Sequence, residues 1–242
     1  MIEAIEGIVI SEVPYGETSK IINVFSKEHG IVGVMCKGAK SMKSRLRAVT
    51  TKFTFGIFNV YYKKDKLSTL ISVDITDNLS NIKQDILLMG YINYLTELAT
   101  QVYKQNEDKE IYSLYIKTIL KMENQLDPAI MTNILELKLL DFLGVNLELN
   151  KCVKCGNKDN IVTIDPEQGG YICSKCRTTE EILDCKVIKM MRMYYYVEID
   201  SISKIAVNYD VSHKIDLLLN NYYDRYTGLY LYSKKFLDNI KK

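Results

Sequence analysis

The chain has 242 residues, 47% of them hydrophobic, with 32 Lys+Arg against 30 Asp+Glu and a formal net charge of +2. Three prolines, 12 glycines and an ordinary apolar fraction exclude collagen and intrinsic disorder, and the length fits one large or two to three small domains. An evenly spread +2 argues for no particular partner, so the distribution of charge along the chain matters more than its sum.

The N-terminus lacks the basic and apolar regions of a signal peptide, and no stretch approaches the ~18 consecutive apolar residues of a membrane span, so a cytoplasmic protein without membrane contact is expected. Residues 1–80 have strand character. Ile5 to Val13, Lys20 to Ser26, Ile31 to Cys36, Phe53 to Tyr62 and Leu67 to Thr76 are β-branched or aromatic runs, separated by turn signals at Pro14-Tyr15-Gly16, His29-Gly30 and Lys64-Asp65. Five short strands without a long helical pattern suit a small closed barrel better than an open sheet, with an SH3-like barrel as the alternative. The polar, basic stretch from Lys37 to Lys52 reads as a long loop beside the binding face of such a barrel.

Beyond Ser80 the period changes to that of helices. Ile86, Leu87, Tyr91, Tyr94, Leu95 and Leu98 recur at helical spacing, as do Ile111, Leu114, Tyr115 and Ile119. A third helix opens with Asp127 as N-cap and Pro128 at its first position, and stops at Gly144. After a cysteine-containing segment, Ile188 to Val197, Val211 to Tyr226 and Ser233 to Ile240 resume the pattern. Three amphipathic helices in succession need a shared core, so the layout is a helical bundle interrupted by the cysteine module. The expected division is residues 1–80, then 81–150 with 177–242, with 151–176 inserted.

The sharpest local motif is Cys152-Val-Lys-Cys155, 17 residues, then Cys173-Ser-Lys-Cys176. Each Cys-x-x-Cys turn aims two thiolates at one tetrahedral ion, and two turns complete a zinc-ribbon shell. The alternative is two unrelated redox or structural pairs. A four-thiolate shell leaves no open position for water or substrate, so the expected Zn2+ is structural, organising about 25 residues with too few apolar groups to fold alone. Gly156 follows the first pair, and Gly169-Gly170 marks a turn. Cys36 and Cys185 have no local partner and read as buried free thiols.

The second signal is hidden by the overall balance. Between Glu28 and Asp65 there is no acidic residue, while Lys37, Lys40, Lys43, Arg45, Arg47, Lys52, Lys63 and Lys64 supply eight positive charges. Phe53, Phe55, Phe58, Tyr61 and Tyr62 are interleaved with them. Cations that track phosphates beside aromatic faces suit single-stranded nucleic acid, whereas the plain alternative is a solvated loop over a barrel core made of those aromatics. Phosphate contacts are expected from Lys37, Lys40, Lys43, Arg45 and Arg47, with Lys63 and Lys64 at the hairpin end as weaker candidates.

Catalytic constellations are missing. Gly33 to Ser41 approaches a phosphate-binding G-x-x-x-x-G-K-[ST] loop, but Ala39 separates Gly38 from Lys40 and no helix pattern follows. His29 and His213 are the only histidines, each in a polar setting. Asp85, Glu97, Glu136 and Asp141 fall at helical positions where surface pairing explains them, and the tyrosines at 194–196 and 222–223 read as bundle core and rim. Nothing here demands an enzyme.

In order along the chain, Gly7-Ile8-Val9, Tyr15-Gly16-Glu17-Thr18-Ser19-Lys20-Ile21, Lys27-Glu28-His29-Gly30, Lys37-Gly38-Ala39-Lys40 and Lys43-Ser44-Arg45-Leu46 resemble the RecO family of DNA repair proteins. So do Glu136-Leu137-Lys138-Leu139-Leu140 before Gly144, the cysteine module with Gly169-Gly170, and Leu231-Tyr232-Ser233-Lys234-Lys235-Phe236-Leu237. The family usually has leucine and lysine before that serine, so Tyr232 removes one positive charge. The resemblance implies an α+β protein: an N-terminal five-stranded OB-fold barrel, then an α-helical domain with an inserted zinc module. It further implies a non-catalytic bacterial recombination mediator, nucleoid-associated during repair. Such a protein binds single- and double-stranded DNA, anneals complementary strands, and with RecR assists RecA loading onto DNA coated by single-strand-binding protein (SSB), whose acidic C-terminal tail it contacts. The rivals are a zinc-ribbon OB protein that binds RNA or serves transcription, and a zinc hydrolase, which a fourth thiolate disfavours.

Overall fold

A computed structural model describes residues 1–241 of the chain. Five strands, β1 (Ile2–Tyr15), β2 (Ser19–Ser26), β3 (Gly30–Cys36), β4 (Phe55–Tyr61) and β5 (Ser68–Asp77), form a closed barrel in the order β1-β2-β3-β5-β4. β3 and β5 pair in parallel and the other neighbours are antiparallel. This is the order of the OB-fold and not of an SH3-like barrel. Closure depends on β1, whose first half pairs with β4 from Ile2 to Ile8 and whose second half pairs with β2 from Gly7 to Tyr15, with an irregularity between Val9 and Ser11. Bulges of this kind bend a strand so that it can serve both neighbours. At the crossover Gly7 faces Gly56, and a Cβ on Gly7 would sit 2.5 Å from Val24 Cγ1, one on Gly56 2.4 Å from the Asp74 carbonyl. No larger residue fits there without moving a strand.

The alternation expected of half-buried strands fills the interior with Ile5, Val9, Ile22, Val24, Val34, Phe58 and Val60. Cys36 is also fully buried, and burial pushes its thiol up to about 12. Between β3 and β4 the segment expected as a loop contains a short helix, α1 (Leu46–Val49). Its single turn is too short to give a periodic signal. Ala39 is fully buried and Leu46 packs on the barrel core, so the basic segment is pinned at two apolar points.

The helices that follow are α2 (Ser80–Gln84), α3 (Ile86–Asn106), α4 (Lys109–Glu123) and α5 (Pro128–Phe142), and then, after a hairpin of β6 (Ile161–Asp165) and β7 (Gly170–Cys173), α6 (Cys185–Tyr196), α7 (Tyr209–Tyr226) and α8 (Tyr232–Ile240). Asp127 caps α5 as its sequence signature predicts, accepting from the amides of Ala129 and Ile130. The same device starts α3 at Asp85, α6 at Asp184 and α7 at Asn208. Among the described residues no helix is long and apolar enough to cross a membrane.

The chain forms two compact units, residues 1–89 with 96–116, and residues 90–95 with 117–242. In the first, Phe25 points out of the barrel and packs against Tyr103 and Tyr112, with ring centroids at 5.1 and 5.3 Å in edge-to-face geometry. In the second, α5 is the central element. Ten of its residues from Ile130 to Leu140 are buried, and it packs against α6 and α7.

One of those ten corrects the sequence reading. Glu136 is not a surface residue paired with its neighbours: it is fully buried. The Tyr94 hydroxyl donates to its Oε1 at 2.5 Å. Lys234 stands beside this pair, its Nζ 4.9 Å from the Tyr94 ring centroid and 3.7 Å from carboxylate oxygens of Asp216 and Asp238. Sequence period could not reveal this, because a helix buried on every side carries no amphipathic stripe to mark an odd polar residue.

Burial, opposed by the field of Lys234, lifts the Glu136 carboxyl from 4.5 to about 7. A folded-state value raised above the unfolded one gives stability that is fully present below the unfolded value and lost as pH rises through the folded one. Stability is therefore expected to fall between about pH 4.5 and pH 7, by roughly 3–4 kcal/mol from this group at ~1.4 kcal/mol per pH unit. Glu136→Gln, neutral throughout, should flatten that slope in urea unfolding curves. A variant whose slope matches the unchanged protein would contradict the assignment.

Candidate metal centre and nucleic-acid interface

The two Cys-x-x-Cys turns lie at the open end of the β6–β7 hairpin. In the first, Gly156 N–H donates to the Cys152 carbonyl at 2.8 Å, and Gly156 takes φ +74. In the second, the amides of Cys176 and Arg177 both donate to the Cys173 carbonyl at 3.0 Å. Each turn aims its pair of thiols inward, and the four Sγ atoms of Cys152, Cys155, Cys173 and Cys176 all lie within 4.8 Å of one another. Four thiolates on a tetrahedral ion with bonds of about 2.3 Å stand ~3.8 Å apart. Cys155 and Cys173 are separated by 3.7 Å.

The thiols are not equivalent. Burial alone would raise the Cys152 thiol, but hydrogen bonds from the backbone of Cys173, Cys155 and Lys154 outweigh it and bring it down to about 6. The Cys176 thiol is pushed up to about 12, first by its hydrogen bond to Cys155 and then by burial. All four cysteines expected as ligands are brought together, and the donor set and spacing fit one metal ion. Cys185 takes no part in this shell. It also departs from the expected buried thiol, because it is exposed at the first turn of α6.

The hairpin is tied to its surroundings. Glu148 N–H donates to the Gly169 carbonyl and Tyr171 N–H to the Glu148 carbonyl, and the Tyr171 hydroxyl donates to the Ile188 carbonyl on α6. Ile172 is fully buried, but residues 151–160 are mostly exposed. A metal ion held by the four thiols would substitute for a core that this segment does not have.

The seven cations expected to meet phosphates, Lys37, Lys40, Lys43, Arg45, Arg47, Lys63 and Lys64, are all exposed. The structure sorts them into two places. Lys40 and Arg47 line one groove of about 400 Å³ together with Val13, Pro14, Lys20 and Glu12. Glu12 is matched there by Lys20, with Nζ 2.5 Å from its carboxylate, so Lys40 and Arg47 keep their charge for a ligand. Lys37, Lys43 and Arg45 lie on the same segment. This segment is ordered by backbone bonds: Lys40 N–H donates to the Thr18 carbonyl at 2.7 Å, and Ser44 N–H and Arg47 N–H donate to the Ser41 and Ser44 carbonyls.

Lys63 and Lys64 are not brought to that groove. Their hairpin runs along the first half of β3, where Lys63 shares a separate hollow with His29, Ile31, Val32 and Tyr62. Lys37 leaves the far end of β3, and the two places share no lining residue. Lys52 differs again: it is half-buried over the Phe53 ring, with Nζ 4.7 Å from the centroid, and burial lowers its ammonium below the ordinary range.

The aromatics divide as the plainer reading held. Phe53, Phe55 and Phe58 are buried, whereas Tyr61 is exposed and Tyr62 stacks on His29 at 4.3 Å. The exposed ring beside the basic segment is Tyr15, which sequence reasoning passed over as a turn residue. Its neighbour Gly16 accepts from Lys40 Nζ at 3.3 Å. Pro14-Tyr15-Gly16 had carried the only available signal, an aromatic held at a turn tip.

An OB barrel with an exposed cationic segment, followed by helices and a hairpin that gathers four cysteines, is an architecture that nucleic-acid-handling proteins use. Comparison with known proteins agrees in detail. Residues 1–79 match the family described as Recombination protein O N terminal, and residues 83–235 match Recombination protein O C terminal. The DNA repair protein RecO of Halalkalibacterium halodurans is 31% identical over 245 residues, spanning 100% of this chain and 96% of that protein. The DNA repair protein RecO of Listeria innocua is 33% identical, spanning 99% of this chain and 95% of its own length, and that of Bacillus pumilus is 32% identical, spanning 98% and 93%. The chain belongs to the RecO family of DNA repair proteins.

Elemental analysis of the purified protein is expected to give about one tetrahedral metal ion per chain. Cys152→Ser with Cys173→Ser should abolish that content and lower the melting temperature, and acidification should release the metal as the thiolates take up protons. Intact metal content and stability in the double variant would refute the four-thiolate site.

Proposed function

We propose that the protein is a non-catalytic recombination mediator that binds single- and double-stranded DNA and anneals complementary strands. In this reading it acts with RecR to assist RecA loading onto SSB-coated DNA, holding the SSB C-terminal tail, in the cytoplasm at sites of repair. The observation that carries it is the basic segment after β3: Lys40 and Arg47 in one groove, Lys37, Lys43 and Arg45 on the same pinned stretch, all exposed and with no acid in the run. These five contact phosphates, Lys63 and Lys64 act as a separate outlying contact, and Tyr15 offers a stacking face. The four cysteines hold a structural Zn2+, since four protein ligands leave the ion no place for water or substrate. The functional division follows the same logic, with residues 1–80 for DNA, 81–150 and 177–242 for protein partners, and 151–176 as the zinc insertion.

No bond needs to be made or broken by such a protein. It competes: it holds a strand moderately, holds the tail of the protein covering that strand, and presents DNA to a filament-forming partner. Net charge suits that division, because residues 1–80 hold 11 Lys+Arg against 8 Asp+Glu and the other 162 hold 21 against 22.

Strand annealing with SSB-coated complementary oligonucleotides is the direct test, and acceleration by this protein is the expected result. For single strands the affinity should fall with salt at a log–log slope of roughly −0.7 per neutralised phosphate, so ~5 contacts give about −3.5. Reversing Lys40, Lys43 and Arg45 to Glu should weaken binding at least tenfold at physiological salt and flatten the slope. Unchanged affinity in that variant would sink the barrel assignment.

A further inference from the structure

The pattern that singled out the barrel segment occurs a second time. Between Asp184 and Glu198 the chain carries Lys186, Lys189 and Arg192, three consecutive tyrosines, and no acidic residue. Helix α6 spans this run, and its period divides it. Val187, Ile188, Met191 and Tyr194 turn inward, whereas Cys185, Lys189, Arg192 and Tyr196, spaced i, i+4, i+7, i+11, share the exposed face.

That face borders the metal hairpin, and a groove of about 230 Å³ opens between them. Its floor is apolar, from Leu149, Ile161 and Ile188, and Lys158, Lys189 and Arg192 stand around it with no carboxylate in the lining. Through Lys189 and Arg192 it continues along α6 to Met193 and Tyr196. Among the described residues, none of the ion pairs involves Lys158 or Lys189. Arg192 is held in place by Asn150, whose Oδ1 accepts from its Nε at 3.3 Å and from its second guanidinium nitrogen at 3.1 Å. Asn150 also donates to the Tyr196 hydroxyl, and the guanidinium lies 5.8 Å from the Tyr196 ring centroid. Arginine and ring are thus fixed before any ligand arrives, so little side-chain entropy remains to be lost on binding.

Uncompensated cations around an apolar hollow, with a fixed Arg–Tyr pair at its rim, complement a strand in which phosphates alternate with unstacked bases. A duplex shields its bases and does not enter a hollow of this size. An acidic peptide would meet the cations but makes no use of the flat Arg192–Tyr196 surface. We propose that the groove between α6 and the metal hairpin is a second single-strand DNA site, taking phosphates at Lys158, Lys189 and Arg192 and stacking a base on Tyr196. The inference rests on the DNA-binding reading given above, and it adds what annealing requires, two strands held by one protein. It also assigns the metal a use: the ion shapes one wall of a DNA groove.

Cys185 reports on the site directly. It lies in the groove lining, while Cys36 is buried and the other four cysteines belong to the metal cluster. The full-length, zinc-loaded protein is treated with N-ethylmaleimide, with and without a saturating oligothymidylate whose binding is followed by fluorescence anisotropy, and alkylation is located by peptide mass spectrometry. The oligonucleotide is expected to slow alkylation of Cys185 several-fold, and to do so equally in the Lys40, Lys43, Arg45 to Glu variant. Lys189→Glu with Arg192→Glu should abolish protection and drop the strands bound per chain from two to one at unchanged zinc content. Tyr196→Ala, a milder change, should weaken protection in the same direction. Undiminished alkylation while the oligonucleotide is bound overturns the groove and leaves the barrel reading standing. So does protection that vanishes with the barrel charges. Protection by an acidic peptide and not by the oligonucleotide also overturns it, because the groove would then be a peptide site. If the barrel variant binds as well as the unchanged protein while Cys185 is protected, the barrel reading fails and the groove stands.

Discussion

A barrel has no free edges only if every strand pairs on both sides, and the strand that closes this one is β1. Its bulge after Val9 and the facing glycines Gly7 and Gly56 let a single 14-residue strand serve β4 with its first half and β2 with its second. Everything proposed for the first unit depends on this closure. With all strand edges paired, polar segments are expelled to the barrel's ends, and the longest of them leaves β3 with its lysines and arginines outward. Ala39 and Leu46 keep it against the core, so the cations are presented on a shaped surface and not on a free loop.

The second unit solves a different problem. Its helices bury a large apolar surface around α5, yet the segment from Lys151 to Cys176 has little to bury and could not order itself by packing. Its two cysteine turns converge instead, with four thiols within 4.8 Å of one another as one metal ion would hold them, and the Tyr171 hydroxyl joins the hairpin to α6. The same joint creates a concave surface with cations at its rim. The function proposed for the two units therefore rests on one arrangement, an apolar support that fixes positive charge without neutralising it. The contrast with Glu12–Lys20 and Lys154–Glu180, where cations are spent on carboxylates, marks which lysines remain for a ligand.

Much of this was legible in the order of residues. Strand alternation from Ile5 to Thr76 and the helical periods of Leu87–Leu98 and Ile130–Leu140 were read correctly, because period 2 and period 3.6 leave distinct traces over six or more residues. Asp127-Pro128 declared a helix start through local capping chemistry, and the cysteine spacing declared a metal shell through ligand geometry. The misses share a cause. α1 is a single turn and β7 four residues long, so neither leaves a periodic trace, and α5 is buried around most of its circumference, so nothing in its period marks Glu136 as a core residue. Cys185 was read as buried by residue type, although its place at the start of α6 turns it to solvent.

Sequence by itself determined the fold class, the family, the paired cysteines and the acid-free run of charge, since each is written in spacing or composition over short distances. Tertiary structure alone decided which charges meet. It placed Lys40 with Arg47, set Lys63 in a separate hollow, buried Glu136 beside Tyr94, and brought Lys158 into one groove with Lys189 of α6. These are contacts between elements distant along the chain. Their partners are set by strand closure and helix packing, and no local pattern records them.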